Sequence, residues 1–295
     1  MKALGSLLLG FAALTAAGQS VPPLNDPATK DYFPGKFVWA DLATANPKAA
    51  TAFYTSLFGW TASTIQHPTS HGVRSYVVLS LNSRPIAGIY ERTPQKGDSV
   101  DGRWIGFISV PDVHRALATA TAAGSRTVST EREVPQRGIQ AIVSDPEGRV
   151  VGLVHSISGD PGEYLPELGE WTWVEFFSRD PEAACRFYSN VAGYTFQPDT
   201  RNPRPDSYLL VGGGYSRASV LHVSSKPGAH PALLLLVRVA SVKDTIARVA
   251  GLGGRVLVAP SDTPTEYWRG VIADPTGAHL GLVQLEAPPA KPARP

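Results

Sequence analysis

Residues 37–60 read FVWADLATANPKAATAFYTSLFGW, and residues 171–194 read WTWVEFFSRDPEAACRFYSNVAGY. The two stretches align without a gap and share aromatic, acidic, Pro, Ala-Ala and Phe-Tyr positions. Two later stretches, DPEGRVVGL (145–153) and DPTGAHLGL (274–282), match each other in the same way. Similarity at a fixed distance along a chain indicates a duplicated structural unit. The sequence therefore predicts two homologous halves, each of which closes on an Asp-Pro turn and an apolar strand.

The segments outside the repeat differ from it in composition. Lys2 precedes an apolar run that ends in small residues at Ala16–Gly18, which is the layout of a secretory signal. The apolar run is shorter than the roughly 20 residues that a membrane-spanning helix needs. We therefore expect export to the periplasm or the extracellular space, with no membrane contact after cleavage. The expected order is a signal peptide at 1–18, an extended lead-in at 19–35, domain 1 at 36–158, domain 2 at 169–287 and a Pro-rich tail at 288–295.

Charge and cysteine content exclude several classes of partner. The 27 basic and 25 acidic residues are scattered and give a net charge of +2, without the basic clusters that follow a phosphate backbone. Nucleic acid is therefore not an expected partner. Cys185 is the only cysteine in the chain, which excludes an internal disulfide and every Cys-based metal site.

Each half begins with a strand and a helix. Phe37, Trp39 and Asp41 alternate along the first strand and share one face. Asn46 and Pro47 then have the residue types of a helix start. The pattern restarts inside each half, in WIGFISVPDVHRALATATAAG (104–124) and in ALLLLVRVASVKDTIARVAGLGG (232–254). The sequence therefore predicts an α+β fold of four modules, each a strand, a helix and further strands.

This combination of an aromatic and acidic opening strand, a DPEAAxxFY…GY helix and a DPxGxxxxL closing hairpin resembles the vicinal oxygen chelate superfamily. That superfamily includes glyoxalase I, bleomycin-resistance proteins and extradiol dioxygenases. The resemblance implies four βαβββ modules that form two glyoxalase-like domains, in which the strands curl into half-barrels around a cleft. It also implies that the two domains pair within the chain as a pseudo-dimer, for which a monomer is sufficient.

In the superfamily, His or Glu side chains from the first and last strands of each module hold a metal ion in the cleft. The resemblance places these positions at Trp39 and Trp173 in the opening strands and at Gly152 and Gly281 in the last strands. The remaining positions fall on Gly88, Ile105, Leu234, and Val220 or Leu221. None of these residues offers the oxygen or imidazole donors that such metals require. We therefore expect no metal in the family's site and no cofactor.

The same faces carry aromatic and acidic side chains instead. A ring beside a carboxylate can stack a flat molecule and accept its hydrogen bonds. The expected ligand-binding residues are Trp39, Asp41, Tyr76, Trp173, Glu175 and Tyr208. Asp41 and Glu175 are also the candidates for a general base, whereas His155 and His279 are weak candidates at the cleft edge. The alternative is that the Trp rings only fill the volume that a metal and its ligands would occupy.

Together these features predict an exported protein that binds a small aromatic or amphipathic molecule without the family metal. Two alternatives stay open at this point. One is a metal-dependent lyase, isomerase or dioxygenase of the superfamily with a displaced site. The other is a non-catalytic interaction protein whose clefts are filled.

Overall fold

A computed structural model describes residues 20–69, 72–93, 102–200, 206–223, 229–260 and 267–285. The predicted signal peptide and Pro-rich tail lie outside these residues. The predicted lead-in is described from residue 20 onward. In domain 1 the elements are β1 (Phe37–Thr44), α1 (Pro47–Phe58), β2 (Thr61–Thr69), β3 (Gly72–Leu81), β4 (Arg84–Glu91), β5 (Arg103–Ser109), α2 (Val113–Ala122), β6 (Arg126–Val134), β7 (Gly138–Ser144) and β8 (Val150–Ser156). In domain 2 they are β9 (Trp171–Ser178), α3 (Pro181–Ala192), β10 (Thr195–Pro198), β11 (Tyr208–Gly212), β12 (Tyr215–His222), β13 (Ala232–Arg238), α4 (Val242–Val249), a short 3₁₀ turn (Ala250–Leu252), β14 (Arg255–Val258), β15 (Tyr267–Ala273) and β16 (His279–Leu285).

The first helix of each domain begins and ends at equivalent residues. The side chains of Asn46 and Asp180 accept hydrogen bonds from backbone N–H groups in the first turns of α1 and α3. Gly59 and Gly193 end these helices in the left-handed conformation, which glycine adopts without steric cost. The repeated sequence therefore encodes the same local structure twice.

Each domain contains one eight-stranded mixed sheet. The strand orders are β2-β3-β4-β1-β5-β8-β7-β6 and β10-β11-β12-β9-β13-β16-β15-β14. The two modules of a domain meet where their opening strands pair antiparallel, β1 with β5 and β9 with β13. Within a module, the opening strand pairs in parallel with the last strand. The α+β prediction of four βαβββ modules is confirmed.

The two faces of each sheet have different neighbours. The inner face packs against the helices and the other domain, and a single apolar cluster joins Leu42 and Trp104 of domain 1 to Phe176 and Leu235 of domain 2. The rings of Trp104 and Trp171 are 5.0 Å apart across this boundary. The opposite, outer face of each sheet carries Trp39 in domain 1 and Trp173 in domain 2, within separate apolar clusters.

The repeated Asp-Pro turn joins the two domains. Asp145 accepts a 2.8 Å hydrogen bond from the Tyr188 hydroxyl of α3, and its partner Arg149 donates to the Phe177 carbonyl of β9. In the second copy, Asp274 interacts with the hydroxyl of Tyr54 on α1. Each domain therefore places its closing turn next to the first helix of the other domain.

Residues 20–35, here called the strap, cross the outer face of the first sheet. Val21 and Leu24 are buried there, and the backbone N–H groups of Leu24 and Asn25 donate to the hydroxyl of Ser158. Further along, the Phe33 N–H donates to the Asp160 carboxylate at 2.7 Å. The lead-in is therefore ordered by contacts with the end of domain 1. Over the residues that the structure describes, we find no helix with the length and apolar character to cross a membrane.

Candidate functional site

The outer face of domain 1 brings together three of the predicted residues. The Trp39 indole N–H lies 2.7 Å from the Asp41 carboxylate and 3.2 Å from the Tyr76 hydroxyl. The Tyr76 hydroxyl donates to the same carboxylate oxygen at 2.6 Å. Burial raises the pKa of the Asp41 carboxyl, although these hydrogen bonds and the nearby Arg137 act in the opposite direction. One oxygen of the Asp41 carboxylate thus accepts hydrogen bonds from both side chains. If Asp41 were a general base, it would already be engaged by them.

Arg137 completes this group and was not predicted from the sequence. Its guanidinium lies 3.8 Å from the centre of the Trp39 ring, and only 1% of the residue is exposed. Its Nε donates to the carbonyl of Pro22 in the strap at 2.9 Å. Burial lowers the pKa of Arg137, and the neighbouring Tyr76 hydroxyl and Asp41 carboxylate oppose that change. No sequence pattern indicates this residue, since it lies in the turn between β6 and β7.

Domain 2 places Trp173 and Glu175 on its outer face in a different setting. The Trp173 indole donates to the Ser219 hydroxyl at 3.1 Å, and Glu175 forms an ion pair with Arg269. The Glu175 side chain is 5% exposed, whereas that of Arg269 is 44% exposed. Half-buried Trp173 and Phe177 surround the pair together with apolar residues of β13 and β16. The outer face of domain 2 therefore has an aromatic and apolar surface beside the accessible cation of Arg269.

The space at the family's metal positions is occupied by neighbouring side chains. A β-carbon on Gly152 would lie 2.2 Å from the Phe107 ring, and one on Gly281 would lie 2.6 Å from Leu236. At Gly88 it would lie 1.8 Å from the Tyr76 hydroxyl. Such distances exclude any side chain unless the neighbours move. The residues present therefore do not fit the superfamily's four-ligand metal site.

The last-strand position of the third module was predicted at Val220 or Leu221, and this prediction is wrong. Asp41 pairs with Gly88 in the first domain, and in the second domain Glu175 pairs with Ser219. Ser219 is therefore the equivalent of Gly88. Its hydroxyl holds the Trp173 indole, so this position also contributes to the aromatic surface.

Tyr208, expected among the ligand-binding residues, does not lie on the same face of the sheet as Trp173 and Glu175. The equivalent hairpin pairs are Leu81 with Arg84 and Gly212 with Tyr215, so counting back from the turns makes Tyr76 equivalent to Ser207. A shift of one residue moves a strand side chain to the other face. Tyr208 consequently packs on the inner face, where its ring lies 5.8 Å from that of Phe196.

The two weak histidine candidates do not join either group. His155 stacks on Tyr32 of the strap at 5.0 Å, and its Nδ1 lies 3.1 Å from the Val110 carbonyl. His279 is exposed at the start of β16. Among the described residues, no three His, Cys, Asp or Glu side chains come together as a metal site.

A cavity of about 340 Å³ lies between the two domains, where β1 and β9 begin. Its walls include Arg84 and Arg217, and both form ion pairs: Arg84 with Glu170 and Arg217 with Glu163. Lys36 donates to the carbonyls of Pro161 and Gly162. These cations therefore fasten the connection between the domains to both sheets.

Comparison with known proteins agrees with this architecture. Residues 36–153 match the family described as Glyoxalase/Bleomycin resistance protein/Dioxygenase superfamily, and residues 173–283 match the Glyoxalase-like domain. A Mycobacterium tuberculosis protein named "Putative glyoxylase CFP32" is 27% identical over 258 residues, which cover 88% of this chain and 98% of that protein. The Anthracycline biosynthesis protein DauV of Streptomyces sp. is also 27% identical, over 88% of this chain and 97% of its own length.

Solved structures support the fold. The Mn(II)-bound glyoxalase from Novosphingobium aromaticivorans is 14% identical with a TM-score of 0.56, over 86% of this chain and 83% of that chain. A variant of homoprotocatechuate 2,3-dioxygenase from B. fuscum is 13% identical with a TM-score of 0.56, over 92% of this chain and 77% of that chain. The chain thus belongs to the glyoxalase/bleomycin resistance protein/dioxygenase superfamily, as two glyoxalase-like domains in tandem.

Proposed function

We propose that this protein binds a small aromatic or amphipathic molecule on the outer face of domain 2, without the superfamily's metal. The observation that carries the proposal is the half-buried pair Trp173 and Phe177 beside the accessible guanidinium of Arg269. The aromatic rings offer a stacking surface for a flat ligand. Arg269 offers donors for an oxygen acceptor or an anionic group on that ligand.

The equivalent face of domain 1 supports this choice by contrast. There Trp39 is 5% exposed, Arg137 covers its ring, and the strap closes the surface. In domain 1 the Trp ring is therefore covered by the chain's own residues in this structure. The duplication has left one face sealed by the chain's own residues and the other face accessible.

Binding without the metal is supported by the donor set. Gly152 and Gly281 have no side chain, and Phe107 and Leu236 fill the space in front of them. Both carboxylate candidates are engaged, Asp41 by two hydrogen bonds and Glu175 by an ion pair. We therefore propose ligand binding rather than turnover. The shared core of the two domains is consistent with a monomer.

Export from the cell is a further part of the proposal and rests on residues 1–18, which lie outside the described residues. N-terminal sequencing of protein recovered from the periplasm or medium should begin after Ala17 or Gly18. A chain that keeps residues 1–18 and stays in the cytosol would contradict export and leave the ligand proposal unaffected.

Substituting Trp173 with alanine should weaken binding of an amphipathic aromatic probe, 8-anilinonaphthalene-1-sulfonate, by about tenfold or more, as expected when a central aromatic contact is removed. Arg269→Gln should weaken the same probe because its sulfonate loses the guanidinium, while a neutral aromatic such as N-phenyl-1-naphthylamine keeps its affinity. Titrations followed by probe fluorescence measure both effects.

Tyr208→Ala provides the matched control, since it removes a part-buried aromatic ring from the inner face of the same sheet. This variant should leave the dissociation constant unchanged. If Trp173→Ala binds the probe as tightly as the wild type, the site assignment fails. Stoichiometric metal in the purified protein, with function lost on chelation, would favour the metal-dependent alternative instead.

A further inference from the structure

The outer face of domain 1 contains a buried arginine, Arg137, whose hydrogen-bonding groups the strap satisfies only in part. Arg137 is 1% exposed, and its Nη2 has no hydrogen-bond partner among the residues that the structure describes. Its Nε donates to a single acceptor, the carbonyl of Pro22. A buried charged donor without an acceptor is unfavourable, so the site satisfies only part of the guanidinium.

A carboxylate would satisfy what the Pro22 carbonyl does not. A guanidinium presents parallel N–H groups from Nε and Nη2, and a carboxylate has two oxygens that accept both. The Pro22 carbonyl has one oxygen and occupies the position of only one of them. The strap thus places a weaker acceptor where an acid would bind with both oxygens.

The strap also indicates which chemical group a ligand should carry next to its acid group. Val21 packs among Ile65, Tyr76, Val78 and Val134, all of them buried. Its side chain occupies an apolar pocket next to the guanidinium, so a ligand with the same shape carries an apolar tail beside its acid group.

The surroundings favour an anion over a cation. Arg132 and Arg137 both favour the charged form of the Asp41 carboxyl and act to lower its pKa. Two cations thus act on the one carboxylate of Asp41 in this part of the outer face. A negatively charged headgroup is therefore attracted to the site.

The strap is attached in a way that allows it to leave. Near Leu24 and Asn25 the strap backbone donates to the Ser158 hydroxyl, and the Asn25 side chain donates to the Asp160 carbonyl at 2.7 Å. Residues 26–32 are exposed, but from Thr29 onward the strap is held by backbone hydrogen bonds with Ser158 and Asp160. Tyr32 also stacks on His155. The firm attachment of the strap therefore lies beyond residue 25. Release of residues 21–25 would uncover the pocket and Arg137 without disturbing the core between the domains.

We propose that the outer face of domain 1 is a second ligand site, specific for a small carboxylic acid with an apolar tail, and that residues 21–25 of the strap compete with this acid for Arg137. This site is independent of the one proposed on domain 2. An acid binds by pairing with Nε and Nη2 of Arg137 while its tail takes the place of Val21.

Binding of 4-phenylbutyrate to full-length variants, measured by isothermal titration calorimetry, tests the proposal. Leu24→Asn places a polar amide in an apolar contact of the strap, without a carboxylate that could itself pair with Arg137, and should tighten binding at least tenfold relative to the wild type. Adding Arg137→Gln to the strap variant should abolish this gain in affinity for the acid. The neutral 4-phenylbutanamide should bind the strap variant and the wild type with the same affinity. Trp173→Ala should leave the gain intact, which separates this site from the one on domain 2.

Hydrogen exchange gives a readout in the wild-type protein itself. Saturating 4-phenylbutyrate should accelerate exchange of the Leu24 and Asn25 amides, which Ser158 protects in the closed form. If Leu24→Asn does not fold, Ser158→Ala loosens the same segment with a smaller change, by removing the hydroxyl that accepts from Leu24 and Asn25, and should also tighten binding. A folded strap variant that binds the acid no more tightly than wild type overturns the proposal. The proposal is also overturned if the strap variant keeps its gain in affinity when Arg137→Gln is added, or if the amide gains as much affinity as the acid.

Discussion

Arg149→Met should lower the free energy of unfolding by about 3–5 kcal/mol, the range for removing one partner of a buried ion pair. The Asp145 and Arg149 side chains are 0% and 1% exposed, and Nε lies 2.6 Å from the carboxylate. The substitution leaves the Asp145 charge buried and also removes the donor to the Phe177 carbonyl of domain 2. Urea unfolding followed by circular dichroism measures the change.

The matched control is Arg186→Met, which removes an arginine that also pairs with a carboxylate four residues away. Arg186 and Glu182 are more than half exposed, so their ion pair contributes only about 0–1 kcal/mol. If both substitutions cost the same, the closing turn of domain 1 is not the junction that we describe. A second unfolding transition in Arg149→Met would show that the domains have come apart.

Gly152→Ala should lower the free energy of unfolding by about 1–3 kcal/mol, because an extra methyl group must enter a packed core. The added β-carbon would lie 2.2 Å from the Phe107 ring, which has to move away from the position it now holds. Gly152→Glu should cost more and should not create a metal site, since the space for a carboxylate is already filled. Chemical denaturation and elemental analysis measure the two effects.

Gly251→Ala is the control for the loss of glycine itself. No atom lies within 4 Å of a β-carbon built there, so the change should stay within about 0.5 kcal/mol. Phe107→Leu should recover part of the stability that Gly152→Ala loses, because neighbouring substitutions are not additive. Equal stability of Gly152→Ala and the wild type would mean that the cleft still has room for a ligand side chain.

The repeat predicted the architecture because the elements it encodes depend on local residue types. Asn46 with Gly59, and Asp180 with Gly193, mark helix ends by capping and by left-handed backbone, and both signals are visible in the sequence. Four such modules in the expected order were sufficient to predict the fold.

The site was less predictable because its decisive contacts join distant parts of the chain. Arg137 reaches Pro22, 115 residues away, and Arg269 reaches Glu175 from another strand. Neither contact is indicated by a periodicity or a motif in the sequence. Tyr208 was misplaced because a direct alignment of the repeats missed the one-residue offset between β3 and β11, and strand alternation turns such an offset into the opposite face.

The exchange of closing turns between the domains also affects how the chain is made. Asp274 is 220 residues later in the chain than its partner Tyr54 on α1. At a synthesis rate of roughly 5–20 residues per second, α1 waits about 10–40 s before that carboxylate leaves the ribosome. During this time the inner face of domain 1 has no domain 2 to cover it. The first half of the chain therefore spends this time with apolar surface exposed that the finished protein buries between its two domains.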